Sequence, residues 1–193
     1  MIGGVLLLGG DLPVIDGGPD GPGEFALELG NVTASPTSDT PPSELRDVAS
    51  EAGTGIKETM DELYFRAFVD TGSWGDYEAA YELFDGRAAT RAEADAEVLT
   101  LGPAANDTYD RLDDASGSLT IAVLTDRQDL PATAIAEVRF EATAEAGGGG
   151  ATQIESVGTF FLREVDGAWR IFAYRVDRSD ETVGGPSPTG SPS

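Results

Sequence analysis

Carboxylates, tyrosines and arginines are the only side chains in this sequence that could do acid–base chemistry or hold a charged ligand. The 193 residues contain no histidine and no cysteine. Imidazole bases, thiolate nucleophiles, disulfides and zinc sites of the usual kind are therefore excluded. What remains for catalysis is a carboxylate in a dry pocket, its pKa raised toward neutrality. Asp70, Asp76 and Asp110 lie near aromatic residues in the sequence and are the candidates, but none falls on a clearly inward strand position. Glu137, Glu141 and Glu155 alternate with apolar neighbours and read as a solvated outer face. With Arg139, Arg163 and Arg175 they can form cross-strand pairs of about 0.2–1 kcal/mol each. No catalytic residue is assigned.

A second constellation is aromatic. Tyr64, Phe68, Trp74, Tyr77 and Tyr81 gather where two predicted helices meet, and Tyr109 is placed to close the mouth of a pocket there. The same six residues suit a pocket for a small apolar ligand or ordinary core packing, because aromatics bury large areas in any small domain. Asp110, Asp113 and Asp114 with Ser116 and Ser118 offer oxygens to a hard cation. The EF-hand spacing is absent, however, and an acidic chain shows such clusters by chance, so no metal is assigned. Gly147–Gly150 joins two strands and opens no helix, so it is not a phosphate-binding loop. No cofactor is expected.

The charge narrows the partners. Thirty-five acids against twelve bases give a net charge of −23, and Lys57 is the only lysine. Such a surface repels phosphate backbones and anionic lipid surfaces, so no nucleic-acid partner is expected. A compositional bias toward Arg, Ala, Gly, Asp and Glu, or a heavily hydrated acidic surface, accounts for the balance.

The elements that must position these residues follow in order. Met1–Gly10 is apolar but too short to span a bilayer, and reads as the remnant of an anchor, as a loose terminus or as an edge strand. Residues 11–43 read as a Gly/Pro/Ser-rich linker, with one short strand within "FALELGNVTA". Leu45, Val48, Ala49, Ala52, Ile56, Met60, Leu63, Tyr64, Ala67 and Phe68 recur at helical spacing, with Ser43 as the N-cap. Gly53 and Gly55 are expected to kink that helix, and Thr54 to cap its restart. Shorter helices follow in "DYEAAYELFDG" and "TRAEADAEVLTLG". The period then changes to two in four strands. Ala134, Ala136, Val138, Phe140, Ala142 and Ala144 form the buried face of the second of these. The last two strands join at an Asp166-Gly167 turn. Apolar residues fall on both faces of this final hairpin. Strict alternation puts Phe172, Tyr174 and Val176 toward the helices. Trp169, Ile171 and Ala173 then need a second cover: a partner sheet, the N-terminal segment or the curl of the sheet. Residues 179–193 read as a disordered Ser/Pro/Gly tail.

Helices followed by consecutive short-turn strands imply an α+β fold, with N-terminal helices on a curved antiparallel sheet of four main strands. Two phrases, "MDELYFRAFVDTGSWGDYEAAYELFDG" and "FFLREVDGAWRIFAYRVD", together with the element order over residues 44–178, resemble the nuclear transport factor 2-like superfamily, the cone-shaped α+β roll shared with ketosteroid isomerase and polyketide cyclases. The short strand often found between the second and third helices of that superfamily is not evident near residues 86–90. The chain is also similar to small membrane-tethered actinobacterial members. The resemblance implies an interior that can hold a small apolar ligand, homodimers through the sheet face, and an extracytoplasmic domain with an N-terminal membrane tether. Three functions stay open: a non-enzymatic binding or assembly domain, a small isomerase, cyclase or dehydratase with a carboxylate in the pocket, or a structural spacer with no ligand.

Overall fold

In a computed structural model of the chain, residues 25–36 and 39–183 are described. The protein is α+β. Strand β1 (Glu28–Ser35) comes first, then a 3-10 turn (Pro42–Leu45) leads into α1 (Arg46–Tyr64), which a π-helical turn extends over Phe65–Val69. Four short helices follow: α2 (Glu78–Tyr81), α3 (Arg87–Ala94), α4 (Ala96–Leu99) and α5 (Ala105–Thr108). The chain then runs through β2 (Arg111–Thr125), β3 (Pro131–Glu145), β4 (Ala151–Val165) and β5 (Ala168–Val183).

The sheet has five strands in the order β1-β2-β3-β4-β5, and it is mixed. The expected four-stranded meander is present as β2–β5, antiparallel throughout. The correction is β1, which adds a fifth strand parallel to β2, with Val32 opposite Ile121 and Ala34 opposite Val123. Asp166 and Gly167 turn the β4–β5 hairpin with φ of 53° and 80°. Both residues must be left-handed in the hairpin turn that matches strand twist, which is why Asp-Gly stands there.

One face of the sheet is packed by α1. Ala49, Ala52, Ile56, Met60, Leu63, Tyr64, Ala67 and Phe68 are buried, as their helical spacing predicts, against Leu119, Ile121, Val123 and the even-numbered face of β3. Helix α1 runs unbroken through Gly53 and Gly55; the expected kink does not occur, and the Thr54 hydroxyl bonds back to the Ser50 carbonyl instead of capping. Nor does Ser43 cap a helix, because it lies inside the 3-10 turn. The two glycines serve close approach. A methyl on Gly53 would lie 3.0 Å from Val32 Cγ1 of β1, and one on Gly55 would lie 2.9 Å from Trp169 Cδ1 of β5.

Those contacts join one helix to both edges of the sheet. The Leu27 N–H, at the start of β1, donates to Asp61 Oδ1 at 2.9 Å, and the Thr59 hydroxyl donates to the Trp169 carbonyl at 3.3 Å. Helix α1 is thus hydrogen-bonded to the chain at both edge strands of the sheet, β1 and β5.

The double-sided hairpin has a local cause. Phe161 pairs with Ala173 but Leu162 pairs with Ile171, so β5 carries an extra residue at this point. This β-bulge resets the alternation. Trp169, Ile171 and Tyr174 all become inward and buried, whereas Phe172 is turned outward and stays 38% exposed. Two parts of the expectation are thus corrected: Phe172 does not face the helices, and Trp169 and Ile171 need no second cover. Their cover is α1 and the segment at Phe84. There the Asp85 N–H bonds the Ile171 carbonyl at 2.8 Å and the Ile171 N–H bonds the Leu83 carbonyl at 3.0 Å. That single parallel bridge, Phe84 with Ile171, is a minimal strand between α2 and α3, just ahead of the stretch where the sequence shows none.

Candidate functional site

The six aromatics singled out by sequence divide between the core and its rim. The π-helical turn, closed by the Asp70 N–H on the Phe65 carbonyl, carries Phe68 under Tyr64, and the two rings stack at 5.6 Å and 16°. Phe140 lies against both, at 5.4 and 4.7 Å, and Phe160 meets Tyr64 edge-on at 6.2 Å. Trp74 is buried and ties its indole N–H to the Phe68 carbonyl at 2.8 Å. Tyr77 is buried and donates to the Gly102 carbonyl at 3.1 Å. Tyr81 is half-buried and meets Tyr77 edge-on at 6.5 Å; Tyr109 packs against the core from a partly buried position. The rings of Tyr64 and Phe68 thus fill the space between α1 and the sheet. Tyr77 and Tyr81 line an open surface cleft of about 390 Å³ with Asp76, Glu78 and Glu93.

Burial governs the tyrosine hydroxyls. It pushes Tyr64 well above the ordinary tyrosine range. The Ser156 hydroxyl beside it draws it down slightly, yet neither oxygen completes a hydrogen bond. Tyr81 is pushed up to about 12, first by burial and then by Tyr77, Glu93 and Asp76. Tyr174 is raised by burial and by donating its proton to Asp95 Oδ2 at 2.9 Å.

The candidate acids cap turns, pair with arginine or lie on the surface. Asp70 accepts from the Gly72 N–H at 3.1 Å and the Ser73 hydroxyl at 2.6 Å, capping a turn. Asp76 accepts from the Glu78 N–H at 3.4 Å. Asp110 starts β2 through its own N–H on the Glu145 carbonyl at 2.7 Å. Glu137 and Glu141 are exposed and Glu155 half-buried on the outward face, where Glu155 pairs with Arg139. Arg163 pairs with Asp85 instead of a strand acid, and Arg175 lies 3.8 Å from Asp177. Asp113 is held by Arg111 at 2.7 Å on β2, and among the described residues no cluster of three or more acids could hold a metal ion. The buried polar residues recorded outside the aromatic set are Thr59, Thr100, Thr125 and Ser156, none of them a carboxylic acid.

A larger space of ligand size lies elsewhere, between the free edge of β1 and the first half of α1. This open cleft measures about 570 Å³, inside the range of small-molecule sites. Leu29, Val32, Ala34 and Ala49 give it apolar walls; Thr33, Ser43, Ser50 and Thr54 supply hydroxyls, and Arg46 is the one charged side chain among the described lining residues. Arg46 stands out among the bases. Lys57, Arg66, Arg91, Arg111, Arg139, Arg163 and Arg178 are each ion-paired, and Arg170 donates to the Glu82 carbonyl. Among the described residues, only Arg46, Arg87 and Arg127 make no such contact, and of these only Arg46 lines a recorded cleft. Sequence reasoning missed this site because one wall is β1, embedded in a linker-like stretch. The available signal was the β-forming run Val32-Thr33-Ala34 beside a helix that starts with an arginine.

Among the described residues no helix is long and apolar enough to cross a membrane, and the apolar Met1–Gly10 stretch lies outside them. Comparison of the chain with protein-family models, with curated proteins and with solved structures finds no match.

Proposed function

We propose that the chain is a non-enzymatic binding and assembly domain of the nuclear transport factor 2-like type, which acts through its surfaces and not through an interior cavity. The observation that carries this reading is the aromatic filling between α1 and the sheet: Tyr64, Phe68, Phe140 and Phe160 are each 2% exposed or less, and Tyr64 is in ring contact with the other three. An isomerase-like mechanism needs an ionisable side chain at the base of an open pocket in that space. The cone-like roll is supported by α1 bonding to both sheet edges, and by the Phe84–Ile171 bridge in the place of the superfamily's short strand. Strand β1 is an addition to that pattern. The extracytoplasmic, tethered placement rests on the apolar start and the linker composition.

Assembly is assigned to the outward face of the sheet, as a homodimer. Phe161 and Phe172 meet there at 6.4 Å, with Ile135 opposite Phe161 and Val157 on the same face of β4, beyond Thr159. Light scattering on the purified full chain tests the assignment: a dimer at tens of micromolar is expected, reduced to monomer by Phe172→Glu. A wild-type monomer under those conditions removes the dimer. A thermal-shift screen with small apolar compounds tests the binding role; no stabilisation by any of them leaves the domain a spacer.

A further inference from the structure

We propose that the cleft between β1 and α1 binds small amphipathic carboxylates, with Arg46 holding the carboxylate and Leu29, Val32 and Ala34 the apolar chain. This rests on the reading of the chain as a binding domain and names its ligand class. The first argument is the charge of the lining. In a chain of 35 acids and 12 bases, the described residues that line the cleft include no acid and one arginine. Glu44 and Asp47 flank Arg46 in sequence but do not line the cleft. The second argument is availability. Most basic side chains here are already neutralised by an acid partner, whereas the Arg46 guanidinium has no partner among the described residues. A free guanidinium presents a fork of donors that matches a carboxylate in bidentate fashion. The third argument is the single charge. A phosphate or sulfate ester would bring more negative charge, or demand more donors, than one arginine in a chain of net −23 can balance. The hydroxyls of Ser43 and Ser50 are free to take the remaining lone pairs. The fourth is shape. From Leu29 to Ala34 the strand runs about 17 Å, which accommodates a medium-length aliphatic chain laid along β1.

Isothermal titration of the full chain with decanoate and, in parallel, with decanol tests the assignment. The wild type is expected to bind decanoate at least about tenfold more tightly than decanol, because one charge-assisted contact is worth about a factor of ten or more. Arg46→Ala is expected to abolish that preference while leaving decanol binding unchanged. Arg87→Ala, which removes an equally free but distant arginine, is expected to leave both unchanged. Ser50→Trp, an exposed position on the wall, fills the cleft and is expected to weaken both ligands, with far-ultraviolet dichroism showing that the fold is retained. Equal binding of decanoate and decanol, unaffected by Arg46→Ala, overturns the carboxylate assignment and leaves the binding domain standing. Binding of neither ligand, or binding that Ser50→Trp does not weaken, overturns the cleft itself as a site.

Discussion

At the scale of single residues, the interior holds two hydroxyls with nothing to do. Tyr64 Oη and Ser156 Oγ are fully buried and lack partners. Burying an unpaired hydroxyl costs free energy, about 1–3 kcal/mol on mutational evidence. Tyr64→Phe keeps the ring stack on Phe68 and Phe140 and removes one orphan oxygen, so it is expected to be neutral or to stabilise by up to about 1 kcal/mol. In a domain of this size that is a rise in Tm of about 2–4 °C. Calorimetry measuring a fall instead would mean that the hydroxyl is bonded in solution. The tyrosines also set an alkaline limit. Tyr64, Tyr77, Tyr81 and Tyr174 all have folded pKa values raised above the ordinary 10. Below pH 10 both states keep these protons. Above it the unfolded chain releases protons that the folded one retains, so stability falls as pH rises from about 10 through 12. Urea midpoints across that window should decline, with tyrosinate absorbance appearing together with unfolding and not before it. Tyrosinate appearing at pH 10 in a still-folded protein would contradict the burial argument. The six aromatics were legible as a group because large rings seldom stay exposed. Their division into core and rim was not, since it depends on the π-helical turn at Phe65–Val69, which no local spacing announces.

At the scale of elements, α1 shows a limit of helix propensity as a guide. Glycine inside a helix costs about 1 kcal/mol against alanine, and on that ground Gly53 and Gly55 looked like a break. In the fold they are the points where the sheet edges reach the helix. Gly55→Ala is therefore expected to destabilise: overpacking against Trp169 costs about 1–3 kcal/mol, more than the propensity gain. Thr54→Ala, on the exposed side, should be within about 0.5 kcal/mol of neutral. Chemical denaturation of both variants, with Trp169→Leu to complete a double-mutant cycle on Gly55→Ala, reads the coupling directly. A stabilised Gly55→Ala would show that the helix does not touch β5 so closely. The strand faces were legible wherever the period of two was strict, as along β3. The last hairpin misled because a bulge is one inserted residue, and the alternation of Ile171, Phe172, Ala173 and Tyr174 reads equally well in either phase until the pairing with Phe161 and Leu162 is known. Strand β1 was legible as a strand but not as a partner. A parallel pairing with β2 joins residues about ninety positions apart, and nothing in eight residues states that address.

At the scale of the whole molecule, the distribution of charge matters more than its total. With −23 per chain, two copies repel at most approaches. The outward sheet face differs: Arg139, Arg163, Arg170 and Arg175 lie there with Glu137, Glu141, Glu155 and Asp177, so that four of the chain's twelve bases stand against four acids around the apolar patch at Phe161 and Phe172. This face carries far less net charge than the rest of the chain, so a second copy meets less repulsion there, and its apolar centre supplies the attraction. The two contributions respond oppositely to salt. Raising ionic strength from about 0.01 to 0.1 M shortens the screening length from about 30 to 10 Å. That removes most of the repulsion between the remaining surfaces, whereas burial of Phe161, Phe172 and Ile135 is not weakened by it. Sedimentation equilibrium should therefore show dimerisation strengthening with added sodium chloride, by about tenfold or more, and Phe172→Glu should be monomeric at both salt concentrations. Dimerisation that weakens with salt would mean that ion pairs among the arginines hold the copies together, and the apolar patch would then not be the centre of the contact. Dimerisation untouched by Phe172→Glu would move the interface off this face altogether, leaving the free edge of β1 as the next surface to test.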